Sequence, residues 1–223
     1  MSPRHFNNPI PPASLTESVA EQIRQKLILG ELRAGQHLSE AALSEQLDIS
    51  RNTLREVFRI LIKEGLLHHE PNKGVSVVVP SMGDIIDIYR VRRLIECTAL
   101  AQAWPRHPAH KQMKEAVEHA QAARELGDWI AVGSANMAFH AGIVALADSE
   151  RLSAMFSDIA AELRLAFGLL DDAEYLHAPY VEQNINLLGL FETSSPSIAA
   201  KTLEDYLNQS ERMVLAVYAR QVS

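Results

Sequence analysis

Cysteine is almost missing from this chain. Of 223 residues only Cys97 carries a thiol, which excludes an internal disulfide and any cysteine-cluster zinc site. Long apolar runs are missing too. Nothing approaches the ~20 residues that a membrane-spanning helix needs, so no membrane partner is expected. The opening MSPRHFNNPIPPAS holds no apolar stretch of signal-peptide type, so secretion is not expected and a reducing cytoplasm is. There is no internal repeat and no low-complexity tract. GxSxG, a phosphate-binding loop, HExxH and paired Glu-x-x-His sites are all lacking, which argues against an enzyme. What remains is ordinary globular material, 47% hydrophobic and 22% charged, so disorder is excluded as the main state.

Negative charge is in excess, at −7 overall, but it is unevenly placed. Residues 1–80 hold 9 Lys/Arg and 9 Asp/Glu, whereas residues 81–223 hold 12 and 19. A polyanion can be met by the first part and not easily by the second.

The pattern along the chain separates these parts further. Pro9, Pro11 and Pro12 predict an extended, flexible arm over 1–13. Ser14 or Thr16 opens a first helix, carried by Leu15, Val19, Ile23 and Leu27 at helical spacing and stopped by Gly30. Ser39 caps a short second helix, Asp48-Ile49 makes a tight turn, and Ser50 caps a third helix ended by Gly65. A two-stranded hairpin follows. It starts at Leu66-Leu67, turns at Pro71-Asn72-Lys73-Gly74 and returns through the β-branched run around Val75–Val79. After Pro80 no strand pattern occurs. Helices are expected near 84–104, 109–126, 129–147, 150–170, 180–191 and 197–221, separated by Pro105, Pro108, Gly127, Asp148, Pro179 and Pro196. The expected fold is mainly α: a winged helix-turn-helix over 14–80, then an all-α bundle of about six helices over 81–223.

The third helix carries the chemistry of the first part. Arg51, Arg55, Arg59 and Lys63 recur every four residues and make one basic stripe. Taken alone, such a stripe is as often a solvated face. Here it follows a short helix and a tight turn, the arrangement that places the start of a second helix in the DNA major groove. Arg51 and Arg55 can each bond guanine bidentately, and Asn52 suits adenine. Thr53 suits a thymine methyl or a phosphate. Arg59 and Lys63 suit the backbone or solvent. At the hairpin tip Lys73 supplies charge and Gly74 permits close approach to the backbone or minor groove.

The stretch from Leu38 to Val78 resembles the winged helix of GntR-family transcriptional regulators, through Ser50-Arg51-x-x-Leu54-Arg55-Glu56, Leu61, Glu64-Gly65-Leu66 and Pro71-Asn72-x-Gly74. The helical remainder resembles the effector-binding, dimerising FCD domain of the FadR-like subgroup. It does so through Val91-Arg92-Arg93-Leu94-Ile95-Glu96 and Asn136-x-x-Phe139-His140. The resemblance implies a homodimeric repressor on near-palindromic double-stranded DNA, with Arg51 and Arg55 as readers and the residues near Gly74 on the minor groove. One departure stands out. Where some members carry an arginine early in the second helix, this chain has Ala41 or Ala42, so that contact is lost unless Arg33 or Asn52 replaces it.

Many relatives hold a divalent metal in the bundle with one Asp and three His, and sense carboxylates there. The resemblance puts Asn136, His140, Gln183 and Tyr206 at those four positions, so three of the four ligands are changed. Neutral amides and a phenol leave one imidazole and no carboxylate for an ion. No metal cofactor is expected; were one bound, His140 with Asn136 would hold it. The alternative is a metal-free pocket whose hydrogen-bonding groups take a small-molecule effector, an organic acid on Arg92. Two plainer readings stand beside it: Glu96 ties Arg92 in a structural ion pair, and His140 is a buried, satisfied histidine. Elsewhere, His68-His69 is expected on the wing surface and His107 and His110 in a surface loop. His177 is expected in a solvated loop, Trp104 and Trp129 between helices, and Cys97 in the core. The competing functions are a sensor with a non-standard metal site, a ligand-independent DNA binder, and, least favoured, an enzyme.

Overall fold

Serine side chains start most of the helices. Ser14, Ser39, Ser50, Ser81 and Ser149 each accept a hydrogen bond from the backbone N–H three residues on, which satisfies a donor the helix cannot. At Ser81 the cap is reciprocal, because the Asp84 carboxylate accepts from the Ser81 N–H at 2.7 Å. The computed structural model describes residues 14–104, 106–169 and 172–221. The expected arm over 1–13 lies outside the described residues.

The first unit runs α1 (Leu15–Ile28), β1 (His37–Leu38), α2 (Glu40–Gln46), α3 (Arg51–Lys63), β2 (Leu67–Glu70) and β3 (Gly74–Val77). Asp48 takes a left-handed φ of 50° in the turn between α2 and α3, a conformation that a short polar side chain tolerates. The wing is a three-stranded antiparallel sheet in the order β1-β3-β2, rather than the two-stranded hairpin the sequence suggests. β1 pairs His37 with Ser76 and Leu38 with Val75. Two residues are too few to show a period, so no pattern announced it. Leu54, Val57 and Leu61 of α3 are fully buried against Ile23 and Leu27 of α1 and Leu67 and Val77 of the sheet. Each contributes ~1.5–3 kcal/mol by leaving water.

The second unit is all α: α4 (Met82–Gln102), α5 (Ala109–Glu125), α6 (Trp129–Ala145), α7 (Glu150–Phe167), α8 (Ala173–Thr193) and α9 (Pro196–Gln221). Helix α6 is its axis and packs on α4, α5, α7 and α8. Accordingly it is apolar on nearly every side. Two side chains of α7, Ala161 and Leu165, belong to the core of the winged helix. Arg24 of α1 adds polar contacts, bonding Glu64 at 2.8 Å and Glu21 at 2.7 Å.

Several expectations are corrected. Pro179 does not separate helices but lies inside α8. It has no N–H to give the carbonyl of Tyr175 one turn before, and Tyr175 lies exposed. His177 is therefore not in a loop but buried on α8. His107 is buried too: its Nδ1 accepts from the Ala109 N–H at 3.0 Å and its Nε2 faces the Asp148 carboxylate at 3.0 Å. His110 lies in the first turn of α5, beside Glu192 at 2.8 Å. Trp104 is half exposed rather than wedged between helices, and stacks edge-on against His107. Trp129 packs on a small cluster with Val132 and Val181. Cys97 is partly buried, and that burial pushes its thiol up to about 12, which keeps it unreactive.

Candidate nucleic-acid interface and buried polar core

The start of α3 is open to solvent. Arg51, Asn52, Arg55, Arg59 and Lys63 are all exposed. Thr53 is partly committed, since its N–H and hydroxyl both meet Ser50 Oγ, at 3.0 and 2.8 Å. Arg55 is not free either. Its Nε donates to the Glu40 carboxylate at 3.0 Å, which ties the start of α2 to α3. Arg59 pairs with Glu56 one turn before it. Ala41 and Ala42 are exposed on α2 with no cationic head, and Arg33 is exposed before β1. At the wing tip Lys73 pairs with Glu70 at 2.6 Å. His37 of β1 donates from Nε2 to the Lys73 carbonyl at 2.6 Å, which pins the turn. Gly74 adopts φ +88°, and a Cβ there would lie 3.0 Å from His37 Nε2. Glycine is thus required by the turn itself as well as by close approach. Glu40 and His37 are the residues the sequence alone did not single out.

The second site lies inside the bundle. Glu96 of α4 is fully buried and uses both carboxylate oxygens. Oε1 accepts from Arg92 Nε at 2.6 Å and Oε2 accepts from His140 Nδ1 at 2.6 Å. On the far side of the ring, His140 Nε2 stands 3.1 Å from the Tyr206 hydroxyl. That hydroxyl has one proton to give, to His140 Nε2 or to Asn136 Oδ1 at 3.1 Å, and Asn136 Oδ1 also accepts from Asn184 Nδ2 at 2.7 Å. The chain of contacts therefore joins α4, α6, α8 and α9. It bears out the ion pair between Arg92 and Glu96, and it brings Asn136, His140 and Tyr206 together.

Gln183 is not among them. It is half buried on α8, at a groove of about 230 Å³ that Tyr206, Asp205 and Gln209 also line, and its buried Oε1 has no hydrogen-bond partner among the described residues. Asn184, one residue on, is the inward group. The sequence pattern points to Gln183, and helical geometry turns one position through about 100°.

Burial sets the protonation of the core. It works to raise the Glu96 carboxyl, but the charges of Arg92 and His140 with their hydrogen bonds outweigh it and hold the group below the usual range. Burial lowers His140, against the pull of Glu96, so the ring is neutral with its proton on Nδ1. Burial pushes the Tyr206 phenol well above its ordinary value. Arg92 Nη2 is buried with no partner among the described residues.

This donor set suits a divalent ion poorly. Tyr206 keeps its proton, both Glu96 oxygens are taken, and the two amides bond one another. Among the described residues no three His, Cys, Asp or Glu side chains gather as a metal site would. The His140–Glu96 pair retains the carboxylate-histidine contact that orients a metal-binding imidazole, but here the other ring nitrogen faces a phenol.

Comparison with known proteins agrees with this anatomy. Residues 15–77 match the family model for bacterial regulatory proteins of the gntR family, and residues 87–209 match the FCD domain. A structural-genomics GntR protein from Rhodococcus sp. RHA1 superposes with a TM-score of 0.85 at 35% identity, over 91% of this chain and 98% of that one. Escherichia coli McbR/YncC shares the fold, with a TM-score of 0.78 at 23% identity over 94% and 99%. A protein of Paenarthrobacter nicotinovorans, named for repression of a D-xylose utilization operon, is 24% identical over 85% of this chain and 86% of its own length. Several other curated relatives match over less than half their length, as does BphR of Paraburkholderia xenovorans at 40%. Among the described residues no helix is long and apolar enough to cross a membrane. The chain belongs to the GntR family, with an FCD domain behind its winged helix, and is a DNA-binding transcriptional regulator rather than an enzyme.

Proposed function

We propose that the chain is a repressor that binds a near-palindromic operator as a two-fold dimer and is released by a small organic acid held in the bundle without a metal. The observation that carries this reading is the buried polar chain from Arg92 to Asn184. Four helices are tied at one point by hydrogen bonds rather than by apolar packing, and Arg92 Nη2 is left with a donor to give. A carboxylate offered to that donor gains a charge-assisted bond. It also competes with Glu96 for Arg92, which shifts α4, the helix that leads directly from the wing. Effector and operator then oppose each other by the same factor in both directions. Arg51, Asn52 and Arg55 read bases, Thr53 and Arg59 meet phosphates, and Lys73 with Gly74 follows the neighbouring groove.

The test uses full-length protein and an operator selected from random DNA, with anisotropy read against a panel of organic acids in chelator or in added divalent metal. An acid that releases the operator in chelator, and no longer does so in His140→Ala, supports the reading. Release that requires metal, or normal release in His140→Ala, overturns it. Sedimentation tests the dimer directly.

A further inference from the structure

Among the described residues, Arg164 is a buried cation without an anion. It lies on α7 and is only 6% exposed, and its bonds go to neutral groups. Nη1 meets His177 Nε2 at 3.2 Å and Nη2 donates to the Ile130 carbonyl at 3.2 Å. Because His177 Nε2 faces a donor, its proton sits on Nδ1, and Nδ1 has no partner among the described residues although His177 is only 2% exposed. The pair therefore presents donors and no acceptor. Burial lowers Arg164 to about 10, and burial with the neighbouring guanidinium lowers His177 to about 3. The backbone is shaped around the two side chains: a Cβ on Gly133 would lie 2.3 Å from Arg164 Nη1 and 2.6 Å from His177 Nε2. On another side Arg164 Nη2 would lie 3.3 Å from a Cβ on Gly30, just past the end of α1. Buried charges are normally paired.

An open apolar groove of about 460 Å³ lies between the winged helix and the bundle; Arg164 does not line it, but Leu29 and Ala131, which do, adjoin Gly30 and Ile130, the residues its Nη2 approaches. Its walls include Ile28 and Leu29 of α1, Ala135 and Ala138 of α6, and Ser157 and Ala160 of α7. Leu29 directly precedes Gly30, and Arg164 follows Ala160 by one helical turn on the same face of α7. The volume is that of a small-molecule site, and none of these residues belongs to the polar core around His140.

We propose that this joint is a second ligand site, for an apolar monocarboxylate whose tail fills the groove and whose carboxylate meets Arg164. Charge complementarity selects the head, and the alanine and aliphatic walls select the tail. Because α1 belongs to the winged helix and α6 and α7 to the bundle, the occupant braces one against the other.

The experiment is thermal unfolding and calorimetric titration of the full chain with sodium octanoate, with 1-octanol as the uncharged control. Octanoate at millimolar concentration is expected to raise the unfolding midpoint and to bind once per chain, and 1-octanol to do neither. Both effects are expected to vanish in Arg164→Met, whose ligand-free midpoint stays at or above that of the unchanged protein because no ion pair is lost. They are also expected to vanish in Ala138→Trp, which fills the groove from an exposed position. The proposal is overturned if octanoate gives no shift, if either variant keeps the shift, or if 1-octanol matches octanoate. It is also overturned if Arg164→Met melts far lower without ligand, which would make Arg164 a brace for the end of α1. A dimer that Ala138→Trp disrupts while octanoate is inert would assign the groove to a second copy and overturn it equally.

Discussion

His140 on α6 gives its Nδ1 proton to Glu96 on α4 at 2.6 Å, and neither residue is more than 1% exposed. The same carboxylate neutralises Arg92, so one buried anion serves two partners. Glu96→Gln removes that anion and leaves the Arg92 charge uncompensated in the core. A loss of about 3–5 kcal/mol is expected, read by urea unfolding. Arg92→Met combined with Glu96→Gln is expected to recover part of it, since the stranded charge is gone. A double variant no more stable than the single one would refute this account of the core.

The contact between Glu40 and Arg55 concerns DNA. In the free protein it holds the arginine in one place and cancels part of its charge. Arg55→Ala is expected to weaken the selected operator by about 1–3 kcal/mol and to relax specificity at one base pair. Lys73→Ala is expected to weaken all sequences alike and to reduce the salt slope by about 1. Glu40→Gln is expected to strengthen non-specific binding while narrowing the ratio of specific to non-specific affinity. Anisotropy against operator and scrambled DNA over a salt series checks all three.

Much of this interface was legible because its signals are local. Ser50, the four-spaced arginines, Pro71 and Gly74 act within a few residues of themselves, and the structure puts them where the pattern implied. The misses are long-range. β1 is made by two residues whose partners lie far along the chain, as His37 and Ser76 show. The pattern points to Gln183 and the structure to Asn184, because a motif fixes residue types more firmly than it fixes helical phase. Pro179 signals a break and so implies a loop at His177, whereas packing of Leu176 and Tyr180 into the bundle core carries the helix through it. Arg164 carried no local signal at all, since nothing in a sequence marks a cation whose partner is absent.

Acidity acts at the joint between the units. Burial, with Asp84, Asp158 and Asp87 nearby, raises Glu162 from 4.5 to about 7. The folded chain keeps this proton to about pH 7, while the unfolded chain releases it near the ordinary value. Between those limits the native state binds more protons, so this group's contribution to stability falls as pH rises. Glu162→Gln is expected to be neutral near pH ~4 and stabilising at pH ~8. The gain is about 1 kcal/mol once solvent screening of a partly exposed group is allowed for. Melting curves of both proteins across that range check it, and an equal response at the two ends would exclude Glu162 as the source.

The phase of α8 is testable by itself. Asn184 is 2% exposed and bonds Asn136 at 2.7 Å, so Asn184→Leu takes from the buried Asn136 Oδ1 the nearer of its two partners. It is expected to destabilise by about 1–3 kcal/mol. It also cuts the polar chain at its α8 end, so the effector-induced rise in melting temperature should disappear with it. Gln183 is half buried at a groove that Tyr206 also lines, and its buried Oε1 has no hydrogen-bond partner among the described residues, so truncation breaks no bond there. Gln183→Ala should therefore stay within about 0.5 kcal/mol of the unchanged protein and keep the effector response. Urea unfolding orders the two variants. Were Gln183→Ala the costlier one, the inward residue of α8 would be Gln183, and the hydrogen-bond chain from Glu96 would have to end at Asn136.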